Sequence, residues 1–381
     1  MTKFDEIIES LSVVIQNPEK VVQDYKEKTG KGAIGCFPVY TPEPLVHAAG
    51  YLPVGVWASH QESELVKQYF PAFACPIMAS NLELGLRGKF DCLSAVLIPC
   101  MCDTLICTGQ NWKRAIPQVP YIGFVHPQNR KMKAGMDFLI AEYTTVKEKI
   151  EAVTGEKITN EALMNSIKIY NEHNEAMRQF IETAADYPSE ITPSVRNIVF
   201  KSAQFMLKEE HTAKVKELVD ELKKKTPQPF DGLKVLVSGI SDDSEDLFKV
   251  FDDNKIAVVA DDLAQCTRQY RSDIPLDSEN PIENLANAWR IFEGCSLAYD
   301  PKKTRGKMIA EDCKKFKADG VIFCMMKFCD PEEYDYPIIN KMVTDAGIPT
   351  AYIEYNSQSV VDEQIRTRIQ TFAEILSANK I

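Results

Sequence analysis

The chain has 381 residues, 45% hydrophobic and 26% charged, an ordinary globular composition in a length too great for one comfortable core. Its net charge of −11 argues against nucleic acid or an anionic membrane as partner. No apolar run approaches the roughly 18–20 residues of a bilayer span. The opening stretch MTKFDEIIESLSVVIQNPEK carries acids where a signal peptide carries bases, so a cytoplasmic protein is expected.

Residues 4–27 read as a helix interrupted near Asn17-Pro18. GKGAIGCFPVY gives a short strand and a turn. Thr41-Pro42-Glu43 then supplies an N-cap, a first-position proline and a first-turn acid for a helix through Ala49, with Gly50 closing it. Strands are expected at Leu52–Trp57, Leu93–Pro99 and Val119–Val125. Near-continuous apolar strands separated by helices mean a parallel sheet covered on both faces.

From about 129 to 226 the strands stop. GMDFLIAEYTTVKEKIEAV, ITNEALMNSIKIYNEHNEAMRQFIETAA and EEHTAKVKELVDELKKK all carry apolar residues at helical spacing. The lysines at 223–225 suit a solvated helix end. Pro227-Gln228-Pro229 marks a linker. Strands then return at Gly232–Gly239, Lys255–Asp262, Asp319–Phe328 and Gly347–Tyr355. The expected fold is α/β: two Rossmann-like parallel-sheet units with an intervening helical region. The boundaries are 1–128 for the N-terminal α/β domain, 129–228 for the bridging helices and 229–381 for the C-terminal α/β domain.

Eleven cysteines, an odd number, do not read as a disulfide framework in a reducing compartment. Cys92, Cys266, Cys295 and Cys313 fall inside regular patterns and are expected to pack as small apolar residues. Cys36, Cys75, Cys100, Cys102, Cys107, Cys324 and Cys329 fall at strand ends or helix starts. Three of these share one local logic. Cys75 precedes a proline and a helical run, Cys102 follows LSAVLIP and precedes Asp103-Thr104, and Cys329 follows VIFCMMKF and precedes Asp330-Pro331-Glu332-Glu333. Strand ends of an α/β fold gather at one crevice. Thiolates at helix starts meet unpaired amides that stabilise negative charge. Three thiolates with no histidine companion favour an iron–sulfur cluster in that cleft over a closed zinc site. Cys324 is expected to point into the sheet and Cys107 to face away. Cys100 stays open as an alternative to Cys102, since residues two apart in an extended segment point the same way.

The histidines His47, His60, His126, His173 and His211 are scattered. His126, just after a strand, is the better crevice candidate; the others suit surface or packing. Arg130, Lys131, Lys133, Lys302, Lys303, Arg305 and Lys307 could meet the phosphates of an acidic ligand, although solvated surface is the simpler expectation. No GxGxxG follows the first strand of either unit, and GxxxxGK[ST], HExxH, CxxC and GxSxG are missing. VLVSGISDDSEDLF places acids where a phosphate would need bare amides, so that turn is a poor dinucleotide site.

KGAIGCFPVYTPEPLVHAAGYLPVGVW, FACPIMASNLELGL, PCMCDT with GQNW, VHPQNRK, VVADD and MMKFCDPEEYDYP resemble the 2-hydroxyacyl-CoA dehydratase family, related to the benzoyl-CoA reductase subunits, and its β-type subunit in particular. The resemblance covers nearly the whole chain. It implies a [4Fe–4S] cluster on Cys75, Cys102 and Cys329, and so settles the choice against Cys100. It also implies an α-type subunit as heterodimer partner, an ATP-dependent iron–sulfur activator protein and an acyl-CoA substrate held mainly by the partner. The implied reaction is radical elimination of water from an (R)-2-hydroxyacyl-CoA through a ketyl anion. No acid–base residue is named. A double-cubane reductase using the extra cysteines Cys100, Cys107 and Cys324 is the enzymatic alternative, and a non-catalytic electron-transfer or binding subunit is the other.

Overall fold

Gly239 marks a tight constraint of the architecture. It ends a strand beside Cys324 of the next, and a Cβ added to it would stand 2.2 Å from the Cys324 carbonyl oxygen. The computed structural model of the chain describes residues 2–57, 63–356 and 361–378. Two helices, α1 (Lys3–Gln16) and α2 (Pro18–Thr29), open it. A reciprocal Thr2–Asp5 capping box starts the first, and Pro18 starts the second. The break at Asn17-Pro18 is as expected.

The first sheet follows: β1 (Ala33–Cys36), α3 (Glu43–Ala48), β2 (Leu52–Gly55), α4 (Pro76–Leu86), β3 (Ala95–Cys100), α5 (Asp103–Ala115) and β4 (Tyr121–Val125). All its strands are parallel, in the order β2-β1-β3-β4. Four helices come next: α6 (Lys133–Thr154), α7 (Asn160–Ala184), α8 (Pro193–Ser202) and α9 (Lys208–Lys223). The second sheet is built from β5 (Leu233–Gly239), α10 (Glu245–Asp253), β6 (Ile256–Leu263), α11 (Pro281–Ile291), α12 (Thr304–Lys315), β7 (Gly320–Met326), α13 (Asp330–Asp345), β8 (Thr350–Tyr355) and α14 (Glu363–Ala378). It is again parallel, in the matching order β6-β5-β7-β8. The α/β expectation with two Rossmann-like sheets therefore holds. One apolar cluster runs through residues of both sheets and the helices between them. Among the described residues, no helix is long and apolar enough to cross a membrane.

Local details differ from the sequence reading. Thr41 does not cap α3; its hydroxyl donates back to the Phe37 carbonyl at 2.8 Å, and Pro42 occupies the cap position. Gly50 does close that helix, with φ +73°. α8 lies outside the three expected helical stretches; Thr192-Pro193 starts it, and the Thr192 side chain accepts from the Val195 amide. β3 runs through Cys100, past the expected end at Pro99.

In each sheet the chain reverses direction of growth between two central strands, β1 and β3 in the first and β5 and β7 in the second. Crevices form outside the carboxyl ends of strands at such points. Gly239 lets the second of these close. A Gly239→Ala substitution is expected to cost about 1–3 kcal/mol through overpacking, read as a lower urea midpoint at unchanged m-value; an unchanged midpoint would contradict the close approach.

Candidate functional site

The segments just past seven strand ends meet around a single cavity of about 450 Å³. Phe37 to Val39 follow β1, Val56 follows β2, Met101 to Leu105 follow β3, and Gln128 lies beyond β4. Ile240, Gln265 and Phe328 to Pro331 do the same for β5, β6 and β7. Cys75, Cys102 and Cys329 all line this cavity. Each is the N-cap residue of a helix: Cys75 of α4, Cys102 of α5 and Cys329 of α13. Proline at the first turn of α4 and α13 presets the helical backbone there.

The thiols are hard to ionise on their own. Burial pushes Cys75 up to about 11, against the partial relief of the Met78 and Ile77 amides, while Cys102 and Asp330 add further repulsion. Burial also raises Cys102, with the Leu105 and Thr104 amides opposing it. Cys329 is raised well above the ordinary value by burial and then by the charge of Cys75. The cavity lining includes Asp103 and Asp330 and, among the described residues, no Lys, Arg or His. Left to themselves in this cavity, the three thiols stay neutral at neutral pH. Among the described residues, no group of three or more His, Cys, Asp or Glu is spaced to hold a single metal ion.

Behind the Cys329 wall lies a charge network that the sequence reading missed. Arg268, fully buried, donates to Asp262 Oδ1 at 3.1 Å and to Glu332 Oε1 at 2.9 Å. Arg305 donates to Asp262 Oδ2 at 2.7 Å and pairs with Glu332 Oε2 at 2.7 Å. Ser238 at the end of β5 bridges Arg305 and Asp262, at 2.9 and 2.7 Å. Burial alone would raise Glu332, but Arg268 and Arg305 hold it below the usual carboxylate range. Its amide donates to the Cys329 carbonyl at 3.0 Å, so the network fixes the helix start that carries Cys329. Asp261-Asp262 of VVADD was the visible signal.

The other expected positions separate cleanly. Cys100 stays in β3 opposite Val125 and lies 3.8 Å from the Tyr121 hydroxyl, lining a different cavity; the bend at Met101 and Cys102 breaks the alternation that kept it in contention. Cys107 is exposed and Cys324 is buried in the sheet, as expected. Cys266, Cys295 and Cys313 are buried, but Cys92 is exposed and is no packing residue. Arg130 and Arg305 are buried, against the expectation of solvated surface: Arg130 donates to the Trp289 and Arg290 carbonyls at 3.0 Å and pairs with Glu293 at 2.8 Å. His60 lies outside the described residues. His126 is buried, but against Tyr143 in a second cavity.

A model of the family described as 2-hydroxyglutaryl-CoA dehydratase, D-component, matches residues 38–376. This chain belongs to that family. Its relatives within the dehydratases match end to end. It is 47% identical over 376 residues to the (R)-phenyllactyl-CoA dehydratase beta subunit of Clostridium sporogenes, covering 99% of this chain and 100% of that one. It is 47% identical over 378 residues to the lactoyl-CoA dehydratase subunit beta of Anaerotignum propionicum, with the same coverage. The (R)-2-hydroxyglutaryl-CoA dehydratase subunit beta of Acidaminococcus fermentans is 39% identical over 375 residues, 97% of this chain and 99% of that one. The expected membership in the dehydratase family is thereby established, and the three thiols at helix starts are this member's candidate site.

Buried histidines give this dehydratase-family chain a pH signature. Burial holds His126 and His211 near about 3, and His173 well below its ordinary value. Unfolded, each titrates near about 6.5, so below that pH the unfolded chain binds more protons and stability falls. Asp242 opposes this: burial and then Asp261 and Asp243 raise it to about 7, so its contribution is lost as pH rises toward 7. Three groups against one leave a net uptake of up to about two protons on unfolding, or roughly 2–3 kcal/mol per pH unit at the steepest. Urea midpoints should drop markedly between pH 6.5 and 4.5. A flat profile would contradict the neutral buried histidines.

Proposed function

We propose that this chain is the β-type subunit of an (R)-2-hydroxyacyl-CoA dehydratase, a hydro-lyase, and that Cys75, Cys102 and Cys329 hold a [4Fe–4S] cluster. The carrying observation is the convergence of three helix-starting thiols on one cavity outside the strand ends. The relatives' names as dehydratase beta subunits support the assignment of activity and of an α-type partner. Cys75, Cys102 and Cys329 would each give one thiolate, leaving a fourth iron without a cysteine of this set. When bound, the cluster supplies a low-potential one-electron centre for ketyl-radical elimination of water from an acyl-CoA held by the partner, after delivery by an ATP-hydrolysing activator.

The chain's own residues prepare that site in three ways. The first-turn amides of α4, α5 and α13 meet sulfur charge with positive dipole ends. Phe37, Met78, Met101 and Leu105 form apolar walls that limit water around it. Glu332, locked by Arg268 and Arg305, keeps the Cys329 turn from shifting. The placement of Cys100, Cys107 and Cys324 away from the cavity favours one cluster over a double cubane. A cytoplasmic, oxygen-free setting follows from a cluster of this kind.

Anaerobically purified protein should carry about four irons per chain. Cys329→Ser should remove most of the visible cluster absorbance, whereas Cys324→Ser and Cys100→Ser should retain it. The reverse pattern would overturn the ligand assignment. Turnover of a panel of 2-hydroxyacyl-CoAs, with an α-type partner, activator and ATP, tests the activity itself.

A further inference from the structure

Sulfur charge gathered in the thiol cavity must be met by hydrogen-bond donors, because no cationic side chain among the described residues lines it. Two of the polar side chains in the lining are buried, Asn81 and Gln265. Asn81 is committed: its amide donates to the Ile77 carbonyl at 3.0 Å, within its own helix α4. Gln265 is not. Its side chain has no hydrogen-bond partner among the described residues, although the residue is only 4% exposed. That remainder opens on the cavity it lines, whereas the Asn81 carbonyl oxygen is sealed in protein. Buried polar groups are paired in native proteins, and leaving one unmet costs about 1–3 kcal/mol. An accessible, unpaired amide in a cavity wall therefore marks a group held ready for an occupant.

The backbone that carries Gln265 is fixed. The residue lies two positions past β6, just before the short helical turn Thr267–Tyr270. Its N–H donates to the Ile240 carbonyl at 3.0 Å, and that of Ala264 to the Gly239 carbonyl at 3.1 Å, so the turn is tied to the end of β5. The Cys266 amide donates back to Leu263 at 3.1 Å, and the Thr267 amide to Asp261 Oδ1 at 3.1 Å. Ala264 and Cys266 on either side pack into the core. A donor carried on so constrained a turn loses little freedom when it binds.

The chemistry of the cavity selects which end of the amide serves. Thiolate and sulfide sulfur only accept hydrogen bonds, so the NH2 end faces them. A donor at sulfur stabilises the more negative, reduced state of a cluster and raises its potential. Backbone amides at the starts of α4, α5 and α13 meet the cysteines on their own elements. Gln265 enters from the end of β6, which carries none of the three thiols.

We propose that the Gln265 side-chain amide donates a hydrogen bond to sulfur of the [4Fe–4S] cluster and holds its potential up. The inference rests on the cluster assignment to Cys75, Cys102 and Cys329. Gln265→Leu keeps the bulk and loses the donor; it should retain about four irons per chain and the visible absorbance. In an anaerobic redox titration its midpoint should fall by roughly tenfold in the one-electron equilibrium, about 59 mV. Pulsed EPR of the one-electron-reduced protein, isotopically labelled at the glutamine side-chain nitrogen, should show a coupling that Gln265→Leu abolishes; loosened packing alone would not remove it. Gln265→Asn, which draws the amide back by one methylene, should shift the midpoint the same way and replaces the leucine variant if that one fails to load. An iron-loaded parent without the labelled coupling, or loaded variants that keep the parent's midpoint, overturns this inference and leaves the cluster standing. A parent that binds no iron overturns both.

Discussion

Two guanidinium groups clamped between two buried carboxylates hold the functional end of this protein in place. Arg268 and Arg305 each touch both Asp262, at the end of β6, and Glu332, in the first turn of α13. Removing one partner of such a set leaves an uncompensated buried charge, at a cost of several kcal/mol. That is why the network fixes where α13 begins, and hence where Cys329 sits. A further contact ties in the first sheet: the indole of Trp57, just beyond β2, donates to Asp243 at 2.7 Å, and Lys201 and Asn197 of α8 hold the same carboxylate. Tyr40 does likewise, donating to Cys295 at 3.0 Å. The crevice is a joint property of both sheets and the bridging helices.

Much of this was legible because the strongest signals are local. Apolar strands of four to eight residues between helical patterns announce parallel sheets, and the eight strands among the described residues lie where the pattern put them, with ends displaced by a few residues. Cys75, Cys102 and Cys329 were found through proline and acids placed just after them, features that act over a single turn. What was not legible depends on distant partners. Arg130 and Arg305 look like surface cations until Glu293, Asp262 and Glu332 arrive from far along the chain. The pair Thr-Pro shows the limit of local rules: Thr192 caps α8, while Thr41 turns its hydroxyl back to Phe37.

Cys100 is instructive for the same reason. Alternation along an extended segment kept it as a rival to Cys102, and family likeness decided between them. The fold supplies the physical ground: the ladder with β4 holds Cys100 in the sheet as far as Val125, and the backbone bends immediately after. One hydrogen-bonded rung separates a thiol beside Tyr121 from a thiol at a helix start.

The sign of the charge at the mouth of the thiol cavity has a consequence for traffic. Asp103 and Asp330 stand exposed there and no cationic side chain lines it among the described residues, in a molecule already strongly anionic. A coenzyme A ester bears several phosphate charges and would be repelled on approach. Such an entrance disfavours a bulky anionic ligand arriving from solvent.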